Sequence, residues 1–483
     1  MSNLTTRNLS MMTDLYQFTM MYGYYKNGMA DTQAVFDLFF RLPVGNSSYA
    51  VMAGLEQAVE YIQAIRFEEE DLSYLRTLNL FDEDFLVYLA QMRFSGELYA
   101  IPEGTVVFPH EPLLRVKAPI IEAQFIETAL LNIINHQTLI ATKASRVVHA
   151  AQGGGILEFG LRRAQGPDAG NYGARAAMIG GCVGTSNVMA AQMFDVPAKG
   201  THAHSWVMSF ESELSAFRAY AEIYPDNCLL LVDTYDTINS GIPNAITVFK
   251  ELRAKGYHPT GIRLDSGDLA YLSKRAREML DEAGFTEAKI FASSDLDENL
   301  IKDLKSQGAC IDVWGVGTKL ITSDQYSSLG GVYKMSAMSE AGGEILPKIK
   351  LSENITKTTN PGYKKVVRFY SKKSRKALAD LIMLDDETVD ETKPLTIFSP
   401  TETWKKTTLT NFYTRDLLQP VFLDGRLVYD LPDLQSIQAH AAHDMDTFWE
   451  EYKRITNPQI YKVDLSDKLF ELRRSFMTNT NQI

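Results

Sequence analysis

The sequence predicts an α/β chain built on a parallel sheet, and three observations carry that prediction. From about residue 150 short apolar runs alternate with helical stretches; each run ends in polar residues; and the composition is that of an ordinary globular protein. Of 483 residues, 45% are hydrophobic and 22% charged, which excludes a disordered or collagen-like chain. The formal net charge of −12 argues against a general nucleic-acid binder, whose affinity comes from neutralising phosphates with a basic face. It leaves room for a small anionic ligand, because a few arginines can reverse the field inside one cleft.

The first part of the chain mixes signals. Glu56–Ile65 and Asp82–Met92 read as helices, whereas residues 94–116 read as short strands interrupted by Pro102, Gly104, Pro109 and Pro112. These predict an N-terminal α+β, sandwich-like domain over residues 1–135. Glu122–Gln137, apolar at helical spacing, leads into the centre. There Gly155–Phe159 is a first buried strand, followed by helices over Asn187–Phe194 and Glu213–Ile223. Strand Cys228–Asp233 precedes helix Ile242–Lys255, strand Gly261–Asp265 precedes helix Leu269–Ala283, and strand Lys289–Ser293 precedes helix Glu298–Ser306. Residues 310–317 close the series. Strands repeating at intervals of about 20–35 residues with helices between them mean right-handed βαβ units over residues 136–330. Alternation alone leaves an open doubly wound sheet and a closed barrel both open. No G-x-G-x-x-G follows the first strand, which weakens the dinucleotide-binding version. Residues 344–370 read as strands around a Pro-Gly turn that return to the N-terminal sheet, so residues 331–430 are expected to complete that domain. Residues 431–483 read as a helical extension ending in a polar, fraying MTNTNQI.

The strand ends hold the chemistry-bearing residues. They are Phe159 with Arg162, Gly184-Thr-Ser186, Asp233, Arg263 with Asp265-Ser-Gly267, Ser293-Ser294-Asp295, and Gly315-Val-Gly317-Thr318. Loops after the strands build the site in α/β barrels, although Asp, Ser and Thr at such places also cap the helix that follows. Six such ends in sequence favour a binding face. Gly315 to Thr318, with Lys319 behind, offers backbone amides, a hydroxyl and an ammonium to a phosphate, and Ser294 and Asp295 end the preceding strand. Arg263 and Asp265 lie two residues apart on a strand and so point to one side. They can hold a ligand carboxylate and face a developing positive charge, or simply pair with each other; spacing does not choose. Phe159 with Arg162 and Arg163 can stack a flat heterocycle and neutralise phosphate. His202 and His204 stand at i, i+2, but no further His or Cys nearby completes a metal set. His440 and His443 in the tail read as a solvated helix face.

Three dispersed cysteines, Cys182, Cys228 and Cys310, match no metal spacing and point to free thiols in a reducing compartment. No secretory signal is read at the N-terminus, and the uncharged stretch Ala176–Phe194 carries too many Gly, Ser, Thr and Asn to span a bilayer. The expectation is a cytoplasmic protein with no membrane or nucleic-acid partner.

Taken in order, Thr13-Asp-Leu-Tyr16-Gln, Glu158-Phe-Gly-Leu-Arg162-Arg, Gly184-Thr-Ser-Asn187, Gly200-Thr-His-Ala-His204-Ser, Arg263-Leu-Asp-Ser-Gly267 and Gly315-Val-Gly-Thr318 resemble the nicotinate phosphoribosyltransferase family over most of the chain. The resemblance implies an irregular α/β barrel with an N-terminal sandwich-like domain, and a homodimer whose active sites are shared. It implies formation of nicotinate mononucleotide from nicotinate and phosphoribosyl pyrophosphate, coupled to ATP hydrolysis, with Mg²⁺ accompanying both phosphate substrates. On that resemblance His204 is the phosphorylated histidine and Asp265 a catalytic partner. Tyr16 and Phe159 sandwich the pyridine ring, with Tyr16 coming from the partner subunit. Thr201 and Arg263 contact nicotinate, and Gly315, Gly317, Thr318, Ser294 and Asp295 hold the ribose phosphate. Arg162 and Arg146 meet pyrophosphate. Related nicotinamide-using enzymes carry an aspartate where this chain has Ser186, so serine favours the acid over the amide. Some relatives have a zinc-binding cysteine cluster near the C-terminus; this tail has no cysteine, so no structural zinc is expected.

Overall fold

The computed structural model describes residues 7–339, 343–352 and 357–479. The chain divides into two compact units, Lys143–Ser327 and the pair of segments Met1–Thr142 and Ser328–Ile483.

The Lys143–Ser327 unit contains six strands: β1 (Gly155–Glu158), β2 (Gly184–Thr185), β3 (Leu229–Leu231), β4 (Gly261–Leu264), β5 (Lys289–Ser294) and β6 (Val313–Val316). All neighbours pair in parallel, in the order β2-β1-β6-β5-β4-β3. Leu230, Ile262, Leu264, Ile290, Ala292, Trp314 and Val316 are at most 1% exposed, so this face of the sheet is sealed. The end strands β2 and β3 are not paired with each other among the described residues, so the closed barrel suggested by the sequence is not closed by hydrogen bonds. Their outer edges are taken by the chain between them: Thr185 N–H donates to the Pro197 carbonyl at 3.1 Å and Lys199 N–H to the Thr185 carbonyl at 2.8 Å, and on β3 the Leu231 N–H donates to His202 Nε2 at 3.3 Å.

Four of the intervening helices begin on side-chain caps, Glu213–Ile223 on Ser212, which accepts the Ser215 N–H. Asn187 accepts the Ala190 N–H ahead of Val188–Phe194, Asp268 the Tyr271 N–H ahead of Leu269–Glu282, and Asp297 the Leu300 N–H ahead of Glu298–Ser306. Each such cap is worth about 1 kcal/mol. Leu269–Glu282 buries Leu269, Ala270, Ser273, Ala276 and Leu280, one stripe of a 3.6-residue repeat.

In the other unit, strand Gln33–Phe40 pairs antiparallel with Gly331–Ser339 on one side and Leu114–Pro119 on the other, within a seven-stranded sheet. Lys364–Ser371 instead joins a four-stranded sheet with Ala377–Leu384, Phe412–Asp416 and Val463–Leu465. The tail therefore supplies a strand besides its helices Leu434–Asp446 and Asp467–Asn479. Its last residues, 480–483, lie outside the described residues. A fully buried Arg368 fixes this unit internally, donating to Asp380 at 2.7 Å, Asp444 at 3.2 Å and the Val106 carbonyl at 2.7 Å. His440, expected on a solvated face, turns inward to the Thr105 hydroxyl at 3.0 Å, while His443 is exposed. The three cysteines are free. Among the described residues no helix is long and apolar enough to cross a membrane.

Candidate active site

Period-two alternation along the parallel strands turns one set of side chains into a cavity of about 260 Å³. Leu157 and Phe159, Arg263, Phe291 and Ser293, and Val313 with Gly315 line it from the strands, and Lys199, Gly200 and Thr201 line it from the chain ahead of His204. Phe159 follows β1, and its N–H donates to the Val316 carbonyl at 2.8 Å. Its ring lies so close to Gly315 that a Cβ there would come within 2.6 Å of Cδ2 and Cε2; glycine is what lets the ring sit flat against β6.

A buried carboxylate shapes that turn. Glu158 is 0% exposed, accepts the Thr185 hydroxyl at 2.6 Å and also accepts the Gly160 N–H. Burial pushes its pKa above the ordinary glutamate value, against the pull of those two hydrogen bonds. It therefore ties β1 to β2 and fixes the direction in which the chain leaves Phe159.

Arg263 is held in a fork. Its Nε donates to Ser293 Oγ at 2.8 Å and its Nη2 to Asp265 Oδ1 at 2.8 Å, and its guanidinium lies 5.8 Å from the Phe159 ring centre. Ser293 Oγ in turn donates to Asp265. Two of the five guanidinium N–H groups are thus used in orientation, leaving others for a ligand. Burial alone would raise the Asp265 pKa, but the bonds from Ser293 and Arg263 hold it below the ordinary aspartate value. Asp265 is accordingly an anion at neutral pH. Its own N–H donates to Asp233 Oδ2 at 2.8 Å, which also accepts the Ser266 hydroxyl at 2.7 Å. The other oxygen, Asp233 Oδ1, is buried with no hydrogen-bond partner.

His204 opens the short helix His204–Met208. Its Nδ1 is 3.1 Å from Thr234 Oγ1, and its Nε2 is 3.7 Å from Asp265 Oδ2, within ionic but not hydrogen-bonding reach. The imidazole side chain is 39% exposed, so Nε2 is approachable from solvent. His202 is different: Leu231 N–H donates to its Nε2 at 3.3 Å, and burial lowers its pKa to about 4. It is a neutral structural histidine.

Of the residues expected from sequence, the structure brings together Phe159, Thr201, Arg263 and Gly315 at the cavity, with Asp265 bonded to Arg263 and His204 beside Asp265. Ser294, Asp295, Gly317 and Thr318 stand at the ends of β5 and β6, where Ser294, Asp295 and Thr318 are exposed. Ser186 is exposed and its N–H donates to the Glu158 carbonyl at 2.9 Å. Arg162 is exposed in the turn after Gly160. Arg146 is not brought to the cavity; it is buried in helix Glu127–Ala150 with Nε on Glu298 at 3.2 Å. Lys319 is turned to Asp297 at 3.0 Å. Tyr16, in the other unit, is 47% exposed with its hydroxyl 3.4 Å from Glu127.

Sequence reasoning passed over Glu158 and Thr234 as site residues and named Ser293 only as a strand end. Ser293 had a signal, being two residues beyond Phe291 on the same strand face; Glu158 had none, since an acid inside an apolar run reads as a strand end. Among the described residues no group of three or more His, Cys, Asp or Glu is placed to hold a metal.

Three family models match the chain: the nicotinate phosphoribosyltransferase N-terminal domain over residues 11–135, the nicotinate phosphoribosyltransferase family over 155–394, and its C-terminal domain over 363–473. A nicotinate phosphoribosyltransferase of Bacillus subtilis is 51% identical over 460 residues, covering 95% of this chain and 93% of that one. The crystal structure of human nicotinic acid phosphoribosyltransferase superposes with a TM-score of 0.85 at 31% identity, over 96% of this chain and 99% of that one. A nicotinate-nucleotide pyrophosphorylase from Pyrococcus furiosus shares the fold at TM-score 0.71 and 22% identity, over 92% of this chain and 97% of the other.

Proposed function

The chain belongs to the nicotinate phosphoribosyltransferase family, and from that premise we propose that it joins nicotinate to phosphoribosyl pyrophosphate, forming nicotinate mononucleotide and pyrophosphate in NAD salvage. ATP hydrolysis is coupled to the transfer through a phosphorylated His204. The observation that carries this reading is the cavity itself, in which an aromatic face, a forked arginine and a hydroxyl converge beside a carboxylate and a histidine.

Nicotinate lies with its ring on Phe159, its carboxylate on the unused donors of Arg263 and on Thr201. Lys199 adds a second positive charge to the wall. The pyridine nitrogen has a free lone pair, so attack on the ribose carbon needs no general base. What the reaction needs is orientation and stabilisation of charge. Asp265, kept ionised by Arg263 and Ser293, faces the oxocarbenium-like centre that develops as pyrophosphate leaves. The exposed ends of β5 and β6, with Ser294, Asp295, Gly317 and Thr318, hold the ribose phosphate, and Arg162 meets the pyrophosphate. Arg146 and Lys319 are assigned no phosphate, because Glu298 and Asp297 already hold them.

Mg²⁺ would accompany the phosphate substrates. It commonly keeps waters and takes one or two carboxylates plus phosphate oxygens, and the orphaned buried oxygen of Asp233 suits such a contact. Its chemistry there is to neutralise charge on the phosphates. Phosphorylation of His204 would add about −1.5 to −2 charges near Asp265, by analogy with phosphorylated hydroxyl side chains, and so bias how the anions bind. In a homodimer, Tyr16 of the partner subunit would cover the open face of the pyridine. The protein is assigned to the cytoplasm.

Turnover of nicotinate and phosphoribosyl pyrophosphate, measured with and without ATP, tests this reading. Production of nicotinate mononucleotide stimulated by ATP is expected. Absence of product under both conditions refutes the activity, and equal rates with ATP left unhydrolysed refute the coupling.

A further inference from the structure

The unit formed by Met1–Thr142 and Ser328–Ile483 contains its own cavity, of about 510 Å³, in the size range of small-molecule sites. Strand residues Val463 and Leu465, with Ile382, Phe108 and Tyr461, give it an apolar wall. Set into that wall are the side chains of Arg473, from helix Asp467–Asn479, and His110, while among the described residues no Asp or Glu lines it.

The polar groups there are unspent. Arg473 Nε is buried with no hydrogen-bond partner, and so is Asn360 Oδ1. Among the described residues no carboxylate pairs with Arg473. Arg473 is half-buried, and a buried donor such as its Nε without an acceptor carries an uncompensated desolvation cost that native structures rarely keep without a use. Its pKa is lowered by burial, and it helps in turn to depress His110, which burial lowers first. His110 is held at φ 73°, with its N–H on the Phe40 carbonyl at 2.7 Å, a left-handed conformation uncommon for a residue with a Cβ. An arginine set beside a neutral imidazole donor in an apolar wall, with no acid among the described lining residues, is the chemistry that recognises an anion carried on an apolar ring.

We propose that this cavity binds a small organic anion, an apolar ring body bearing one acidic head, with Arg473 taking the head and the Phe108–Tyr461 wall the body. The site belongs wholly to this unit and is independent of the activity proposed for the other one.

The probe is 1-anilinonaphthalene-8-sulfonate, titrated into the full chain by fluorescence beside its uncharged analogue N-phenyl-1-naphthylamine, with nicotinate and pyrophosphate present at saturation. Saturable binding of the sulfonate is expected, weakened about tenfold or more by Arg473→Met. The same variant should leave the uncharged analogue unaffected. Thr401→Trp, which places an indole in the exposed loop lining the cavity, should weaken both probes. If Arg473→Met does not fold, Thr401→Trp carries the test alone. Sulfonate binding unchanged by either folded variant, or abolished by nicotinate and pyrophosphate, overturns the proposal. Equal loss of both probes in Arg473→Met overturns the role of the guanidinium.

Discussion

Replacing Arg263 by alanine tests the centre of the proposed site. The side chain is 18% exposed and fixed by two hydrogen bonds of 2.8 Å, so its free donors are aimed before any ligand arrives. A hydrogen bond to a charged group is worth about 1.5–3 kcal/mol, and about 1.36 kcal/mol is a factor of ten. Arg263→Ala should therefore raise the KM for nicotinate roughly 10- to 150-fold. Arg263→Lys keeps the charge but cannot serve Ser293 and Asp265 with one planar fork, so it should fall between wild type and alanine. A second readout comes from Asp265. Arg263 helps hold its pKa below the ordinary value, so removing the guanidinium raises it, and the acid limb of the rate profile should move to higher pH. The assay is initial rate against nicotinate concentration at saturating phosphoribosyl pyrophosphate, repeated across pH. An unchanged KM in both variants refutes the assignment of the nicotinate carboxylate to Arg263.

His204→Ala should abolish ATP hydrolysis and the appearance of acid-labile phosphate on the protein, and undiminished labelling would place the phosphate elsewhere. Gly315→Ala forces a methyl to within 2.6 Å of the Phe159 ring, so the ring must turn; nicotinate affinity should fall while circular dichroism is unchanged, and normal affinity would show that the ring does not stack the substrate. His202 binds its proton near pH 6.5 when unfolded but only at about 4 in the fold, so between those values the unfolded chain holds more protons and stability falls on acidification. The loss from pH 7 to 5 is about 2 kcal/mol, and His202→Gln should flatten that part of the urea-unfolding profile. Asp380→Asn leaves the fully buried Arg368 short of its main partner and should cost about 3–5 kcal/mol in the same assay, with a near-neutral result contradicting a net charge-paired core.

The sequence made the parallel strands legible because buried parallel strands read as continuous apolar runs, and helices between them as amphipathic stripes. It could not show closure, because the outer edge of β2 pairs with the chain at Pro197–Lys199 rather than with β3. Nor could it sort the strand-end acids. Asp268 and Asp297 cap helices, whereas Asp233 accepts from the Asp265 N–H and Asp265 from Arg263; all four are aspartates within a few residues of a strand end. The distinction lies in whether the helix starts at once. Asp268 and Asp297 each immediately precede their helices, while Asp233 and Asp265 are followed by loop residues. Nor could it show ion pairing: Arg146, which the resemblance implies at pyrophosphate, and Lys319, beside the Gly315–Thr318 turn, are each found against a carboxylate, Glu298 and Asp297.

Net charge and local charge part company in this chain. A formal charge of −12 should repel nicotinate and pyrophosphate, yet the cavity under β1, β4, β5 and β6 is lined by Arg263 and Lys199 and by no carboxylate. The nearby acids are arranged so as not to cancel that field. Glu158 is buried and hydrogen-bonded, with a raised pKa, and Asp265 spends its charge on aiming Arg263. Glu298 and Asp297, also buried, are paired with Lys143, Arg146 and Lys319, and the exposed acids are screened by water and salt within about 8–10 Å. The cavity that holds Arg473 follows the same rule, with an arginine set in apolar walls and no acid among the described lining residues. If that arrangement is what admits anions, adding one carboxylate to the wall should exclude them more strongly than any change of net charge. Thr201→Asp, one charge placed in the cavity, should raise the nicotinate KM far more than reversing an exposed lysine such as Lys274→Glu, although the latter alters the net charge by twice as much. Equal effects on KM would show that the whole surface, and not the cavity wall, sets the field the substrate meets.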